Sequence, residues 1–237
     1  MRGTLPVRAM RPRPLSPTRR SGPAAVQDIL TIRPATSGDT RVILDLINEA
    51  AEWLRTKGTD QWNAPWPNTE ARDARVLRSL RHGSTWIVEK DGSAVATITY
   101  RRHGSTVLWT ERERGEPAVY VSRLIVTRRA AGRHIGTALS DWAGQRALWD
   151  WGAQWVRIDV WTTNEALHNY YEKRGFRFCR VCVVDERTYP SAALFEKPTR
   201  EVDVAAAARF TEAEVALPDG LKRPRALPQL VAEGRAG

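Results

Sequence analysis

Tyr120-Val121-Ser122-Arg123-Leu124-Ile125-Val126 runs without a break into Thr127-Arg128-Arg129-Ala130-Ala131-Gly132-Arg133-His134-Ile135-Gly136-Thr137-Ala138-Leu139. The first part is an apolar, β-rich run and reads as a strand. The second is a turn of small and basic residues that opens a helix. A helix starting there leaves backbone N–H groups without intrahelical partners, and its dipole points its positive end at the same place. Such a terminus takes phosphates, and Gly132 and Gly136 let a ligand approach the backbone closely. Arg128, Arg129 and Arg133 add charge nearby. Two glycines alone fit an ordinary strand–turn–helix connection equally well.

Further along, Asp159-Val160-Trp161-Thr162-Thr163-Asn164-Glu165-Ala166-Leu167-His168-Asn169-Tyr170-Tyr171-Glu172-Lys173-Arg174-Gly175-Phe176 reads as strand, Asn cap, short helix, Gly stop and strand. The strand over 118–126, a helix over 134–150 with Ile135, Ala138, Leu139, Trp142 and Trp149 on one face, and a strand over 156–161 form a βαβ unit. Such a unit is parallel and right-handed. Upstream, a strand over 29–33 leads to a Thr36/Asp39 capping box. Ile43, Leu46, Ile47, Ala50 and Leu54 then recur at helical spacing as far as Gly58. A second helix runs from Asn68 or Thr69 to Gly83. Residues 85–89 and 94–100 alternate around Asp91-Gly92, a hairpin signal, and 106–110 extends the sheet. A helix over 165–173 and strands over 176–184 and 192–196 complete the pattern. The expected class is α/β (α+β): a mixed, mostly antiparallel sheet with helices on both faces, in one domain over residues 28–198.

The chain of 237 residues carries a formal net charge of +10. Residues 1–27 hold six arginines and no acid, 199–237 are neutral, and the stretch between carries only +4. The basic excess is therefore mainly a property of the N-terminal segment, which is rich in Pro and Arg and reads as disordered. Met10 lies inside it, so a later start codon stays open. Residues 199–237 read as a mostly disordered tail with a weak helix over 204–215. No apolar run approaches the roughly 18 residues of a membrane span, the N-terminus lacks an apolar signal region, and two cysteines are too few for a disulfide framework. A cytoplasmic protein is expected.

Together the two quoted segments resemble the GNAT superfamily of acetyl-CoA-dependent N-acetyltransferases over roughly residues 28–198. The first is similar to the family's pyrophosphate motif, although Ala131 stands in place of arginine or glutamine and His134 in place of the first glycine. Asn164, Leu167, Tyr171, Gly175 and Phe176 fall on the positions of its second motif. The resemblance implies a splayed pair of parallel strands holding acetyl-CoA as co-substrate, with no metal. It places the main chain of Leu124, Ile125 and Val126 along the pantetheine arm. The N–H groups of Gly132, Arg133, His134, Ile135, Gly136 and Thr137 fall at the pyrophosphate, with Arg129 beside it and Asn164 as cap, cofactor contact or both.

Direct attack on a thioester needs a neutral amine near the carbonyl carbon, a donor for the developing oxyanion and an acid for the departing thiolate. By resemblance Tyr171 is the acid; its other reading is helix-face packing beside Tyr170. Asp159 stands where a glutamate proposed as base occurs in ribosomal-protein alanine acetyltransferases of the family, and reads equally as a structural carboxylate. Glu111, Glu113 and Glu116 are alternative bases. Trp62 and Trp66 lie in the segment joining the first two helices, where the family builds its acceptor site; they read as an aromatic lid over a planar or cationic amine, or as loop packing. His82, His103 and His168 read as surface residues. Cys179 and Cys182 stand three apart on a strand, which puts their thiols on opposite faces.

The expected activity is N-acetylation of a primary amine on a small molecule. A protein N-terminal acetyltransferase and a non-catalytic acyl-CoA sensor are the alternatives. A nucleic-acid partner through the Arg-rich tail is the least favoured reading, and a homodimer is compatible with the sequence.

Overall fold

The computed structural model describes residues 30–184 and 190–213; the tail expected over 1–27 and the part of the 199–237 tail beyond residue 213 lie outside the described residues. β1 (Leu30–Pro34) alternates buried and half-buried side chains. Asp39 accepts from the Thr36 N–H at 2.7 Å and from its hydroxyl at 3.0 Å, the expected capping box. The chain then enters α1 (Thr40–Arg55), which buries Ile43, Leu46, Ile47, Ala51 and Leu54. α2 (Thr69–Arg81) begins where the Asn68 side chain accepts the Ala71 N–H at 2.8 Å. β2 (Thr85–Lys90) and β3 (Ser93–Arg101) form the hairpin; Asp91 and Gly92 have φ of 51° and 71°, the backbone that a two-residue turn requires.

After α3 (Glu111–Gly115) come β4 (Ala118–Val126), α4 (Ile135–Trp151), β5 (Trp155–Val160), α5 (Glu165–Glu172), β6 (Arg177–Val181) and β7 (Ala193–Pro198). α6 (Val204–Ala207) and β8 (Phe210–Glu212) close the order. The eight strands make one sheet, β6-β7-β5-β4-β3-β2-β1-β8. β4–β5 and β1–β8 are parallel and the other neighbours antiparallel. This is the expected mixed α/β sheet. α4 covers one face over a core containing Trp86, Tyr100 and Trp142, whose rings meet at 5.1–6.3 Å. α1 and α2 cover the other face through Ile43, Leu46, Val76 and Leu80 against Ile87 and Ile125. No helix among the described residues is long and apolar enough to cross a membrane.

Four local expectations change. Residues 106–110 are not a strand: the Trp109 N–H donates to the Ser105 carbonyl at 3.0 Å, and Thr110 forms a capping box with Glu113. Those local bonds take the backbone groups that a sheet would need, while Leu108 and Trp109 are buried against Tyr120. The weak helix over 204–215 is a single turn. Beyond it Phe210–Glu212 joins the sheet beside β1, held by the ion pair of Glu212 with buried Arg146 and by Trp142 Nε1 donating to Glu212 at 3.3 Å. The folded unit therefore continues past residue 198. Trp149 is 51% exposed, and it is Trp151, two residues on, that packs on the core around Trp142 by stacking on Tyr100. Finally, a bulge between Phe178 and Arg180 breaks the alternation of β6. Cys179 and Cys182, both free thiols, consequently pack against the same small cluster around Leu108.

Candidate active site

β4 and β5 pair only from Ala118 opposite Trp155 to Val121 opposite Ile158. Beyond that point β4 continues with β3, and Asp159 and Val160 continue with β7. The two parallel strands therefore part, leaving one edge of residues 122–126 without a strand partner. An extra residue in β4 opposite Thr97–Thr99 makes a bulge that contains Arg123, at φ 47°. A cleft of about 1620 Å³ opens at the fork. A drug-sized pocket occupies roughly 300–1,000 Å³, so this one has room for a long co-substrate and an acceptor together. Leu124, Ile125, Val126, Gly132, His134, Ile135, Gly136, Asp159, Asn164, Tyr171, Trp62 and Trp66 all border it. Arg129, Arg133 and Thr137 do not.

At the β4–α4 turn the first intrahelical bond is Ala138 N–H to the His134 carbonyl, at 3.1 Å. The N–H groups of Ile135, Gly136 and Thr137 precede it and make no backbone bond in the preceding turn. His134 has φ 57° and Gly132 φ 79°. This explains why a glycine suits position 134: the site needs left-handed backbone, which histidine tolerates at a cost. The His134 side chain is exposed and leaves the turn open. A Cβ at Gly136 would meet Leu124 Cδ2 and the Tyr170 hydroxyl at 3.3 Å each, so a bare backbone faces the cleft there. The expected arginines divide. Arg128 lies over the Trp53 ring at 4.4 Å, on the cleft wall. Arg129 instead donates to the Ala94 carbonyl at 2.9 Å. Arg174, which the sequence reading passed over, donates to Thr137 Oγ1 at 2.5 Å and lies over the Tyr170 ring at 3.8 Å. Its place in the turn just after α5, four residues beyond Tyr170, was the available signal.

Asp159 and Tyr171 both border the cleft, within electrostatic reach of each other. Asp159 is half-buried, and no other side chain bonds its carboxylate among the described residues. Burial pushes its carboxyl up to about 6, against the opposing charge of Arg101. Tyr171 packs edge-on against Tyr170 and Phe176 with ring centroids at 5.3 Å. Burial, then the nearby Tyr170 and Asp159, push its hydroxyl well above the ordinary phenol value, so it stays protonated at physiological pH. The alternative bases are engaged elsewhere. Glu113 caps α3 and pairs with Arg180 at 2.6 Å, which holds it down to about 2. Glu116 pairs with buried Arg157, and neither it nor Glu111 or Glu113 reaches the cleft.

The segment between α1 and α2 is tied across the cleft. Asp60 accepts from Trp161 Nε1 at 2.8 Å and Thr163 Oγ1 at 2.6 Å. Asn164 caps α5 by accepting the Leu167 N–H at 3.0 Å and donates to Gln61 at 2.6 Å, so its amide links helix and loop. Trp62 packs on the α1–α2 core, and Trp66 stacks on Arg75 at 4.4 Å. Both therefore pack and border the cleft at once. His168, expected at the surface, packs on Phe195 and donates Nε2–H to the Trp161 carbonyl at 2.9 Å; His103 borders the cleft.

The model of the acetyltransferase (GNAT) family matches residues 46–176. Uncharacterized N-acetyltransferase YesJ of Bacillus subtilis is 28% identical over 148 residues, 61% of this chain and 80% of that protein. S-alkylcysteine N-acetyltransferase of the same organism is 35% identical over 69 residues, 29% of this chain and 36% of that protein. Among solved structures, a GNAT-family acetyltransferase of Listeria monocytogenes superposes with a TM-score of 0.57 at 21% identity, covering 71% of this chain and 94% of that one.

Proposed function

The chain belongs to the acetyltransferase (GNAT) family and is an acetyl-CoA-dependent N-acetyltransferase; from that premise we propose that its acceptor is a small-molecule primary amine and that Asp159 and Tyr171 carry the proton transfers. The observation that carries this reading is the fork itself. It brings a carboxyl lifted to about 6 and a tyrosine kept protonated to one cleft, beside the unpaired edge of Leu124–Val126.

In this reading acetyl-CoA lies along β4, with its pyrophosphate at the N–H groups of Ile135, Gly136 and Thr137 and its charge met by Arg174 and the helix dipole. The acceptor amine attacks the thioester carbonyl carbon, forming the C–N bond as the C–S bond breaks. Asp159, ionised above about pH 6, takes the proton from the amine directly or through water. Tyr171 gives its hydroxyl proton to the departing thiolate and regains one from solvent. A main-chain N–H of β4 near Leu124 donates to the carbonyl oxygen as its charge grows. The side-chain ties from Asp60 and Gln61 to Trp161, Thr163 and Asn164 narrow the acceptor side, which suits a small molecule better than a peptide. The match over 69 residues to an enzyme named for S-alkylcysteine points the same way.

The test is thiol release from acetyl-CoA with a panel of small amines, on the wild-type chain and on Tyr171→Phe. Turnover should fall on the order of 100-fold in the variant, with acetyl-CoA affinity retained. Unchanged turnover removes Tyr171 from the chemistry.

A further inference from the structure

Arg123, Arg101 and Arg75 border the cleft on its acceptor side, between α2, β3 and the bulge of β4. Among the described residues none of the three is in an ion pair. Arg123 is half-buried at its left-handed bulge position, and its Nη1 donates to Ser79 Oγ at 3.0 Å and Thr99 Oγ1 at 3.2 Å. Those are neutral hydroxyls, already joined through Thr85 at 2.8–2.9 Å. Its Nε and Nη2 have no acceptor among the described residues. Arg101 makes one long contact, 3.5 Å, to Ser122 Oγ. Arg75 donates to the Trp66 carbonyl and stacks on that ring. Burial, and the charges of Arg101 and Arg75, hold the Arg123 guanidinium down to about 10.

Three guanidinium groups gathered without a carboxylate, two of them half-buried, are unfavourable by desolvation and mutual repulsion. The buried cations elsewhere are paired: Arg146 with Asp150 and Glu212, Arg157 with Glu116 and Glu196, and Lys197 with Asp141. Of the three carboxylates bordering the cleft, Glu49 accepts the Arg128 N–H at 2.7 Å, Glu52 is exposed on α1, and Asp159 lies near enough to Tyr171 to act on its hydroxyl. Arg101 also acts on Asp159, so cation and candidate base are within electrostatic reach of each other.

We propose that the acceptor is an amine that carries a carboxylate, an α-amino acid or close derivative, with the carboxylate received by Arg123 and Arg101 and the amino group directed at Asp159. This rests on the small-amine reading and narrows it. The planar fork of arginine matches a carboxylate in a bidentate way. A bound carboxylate relieves the repulsion that a neutral amine leaves in place and a polyamine increases.

The experiment compares kcat/KM for matched pairs, phenylalanine with phenethylamine and methionine with 3-(methylthio)propylamine, using the full chain and acetyl-CoA. The acid should be preferred at least tenfold in each pair. Arg101→Met, at an exposed position, should erase most of that preference while leaving acetyl-CoA affinity unchanged; Arg123→Lys is the second variant and should weaken it through loss of bidentate geometry. Equal or better turnover of the decarboxylated amines overturns the inference and leaves small-amine acetylation standing. A preference untouched in both variants also overturns it. Thiol release with no member of the panel sinks the small-amine reading itself, and the inference with it.

Discussion

Asp159→Asn removes a carboxyl that the folded chain shields in part from water, and its effect on stability follows from that burial. The carboxyl rises from 3.8 to about 6 on folding. A tenfold change in an acid constant corresponds to about 1.4 kcal/mol, so ionising Asp159 in the folded state at pH 7.5 costs up to about 3 kcal/mol. The side chain is partly exposed and water relaxes part of this, leaving about 1–3 kcal/mol. The sign is fixed by the direction of the shift. Below pH 3.8 the group is protonated folded and unfolded, and it contributes nothing. Between 3.8 and about 6 the unfolded chain ionises first, so stability falls as pH rises, and above 6 the loss is complete. The asparagine variant lacks this loss. Urea unfolding should show it less than about 1 kcal/mol more stable than wild type at pH 4 and about 1–3 kcal/mol more stable at pH 7.5, or roughly 2–4 °C in Tm per kcal/mol. The same variant should lose on the order of 100-fold in thiol release, and wild-type kcat/KM should rise with pH through about 6. A stability gap of equal size at both pH values, or none at pH 7.5, would refute the burial argument; an active variant would refute the role as base.

Other consequences are accessible to the same methods. His134→Val places a β-branched residue at φ 57° and should destabilise by about 1–2 kcal/mol, whereas His134→Gly should be neutral or stabilising; urea midpoints distinguish the two. Lys197 donates to Asp141 at 2.8 Å with both side chains buried, so Asp141→Ala should cost about 3–5 kcal/mol by leaving an uncompensated charge. The double variant Asp141→Leu/Lys197→Met should recover much of that loss, measured as a double-mutant cycle.

Much of the fold and part of the site were legible because they are written in short-range patterns. The capping box at Thr36 and Asp39, the Asp91-Gly92 turn and the Asn164 cap each need only residues within three positions of one another. Tyr171 and Asp159 were singled out by resemblance to the family motif around Asn164, and both border the cleft. Arg174 was overlooked although it is only four residues from Tyr170. The arginine cluster was beyond local reach: Arg75, Arg101 and Arg123 lie on three elements, and only the register of β3 with β4 brings two of them together. The competing bases were removed by partners equally remote, Arg180 for Glu113 and Arg157 for Glu116.

The sequence by itself determined most of the strands and helices, residues 106–115 and 204–212 excepted, that β4 and β5 flank a helix and run parallel, and that a helix N-terminus rich in small residues follows β4. Periodicity, caps and turn residues act over a few positions, so they can be read in order along the chain. Only the tertiary structure decided where β4 and β5 part, that β8 finds β1, and which charged groups are left without partners in the cleft. Those outcomes depend on register and burial between distant segments, where a one-residue bulge at Arg123 or a single remote counterion changes the result.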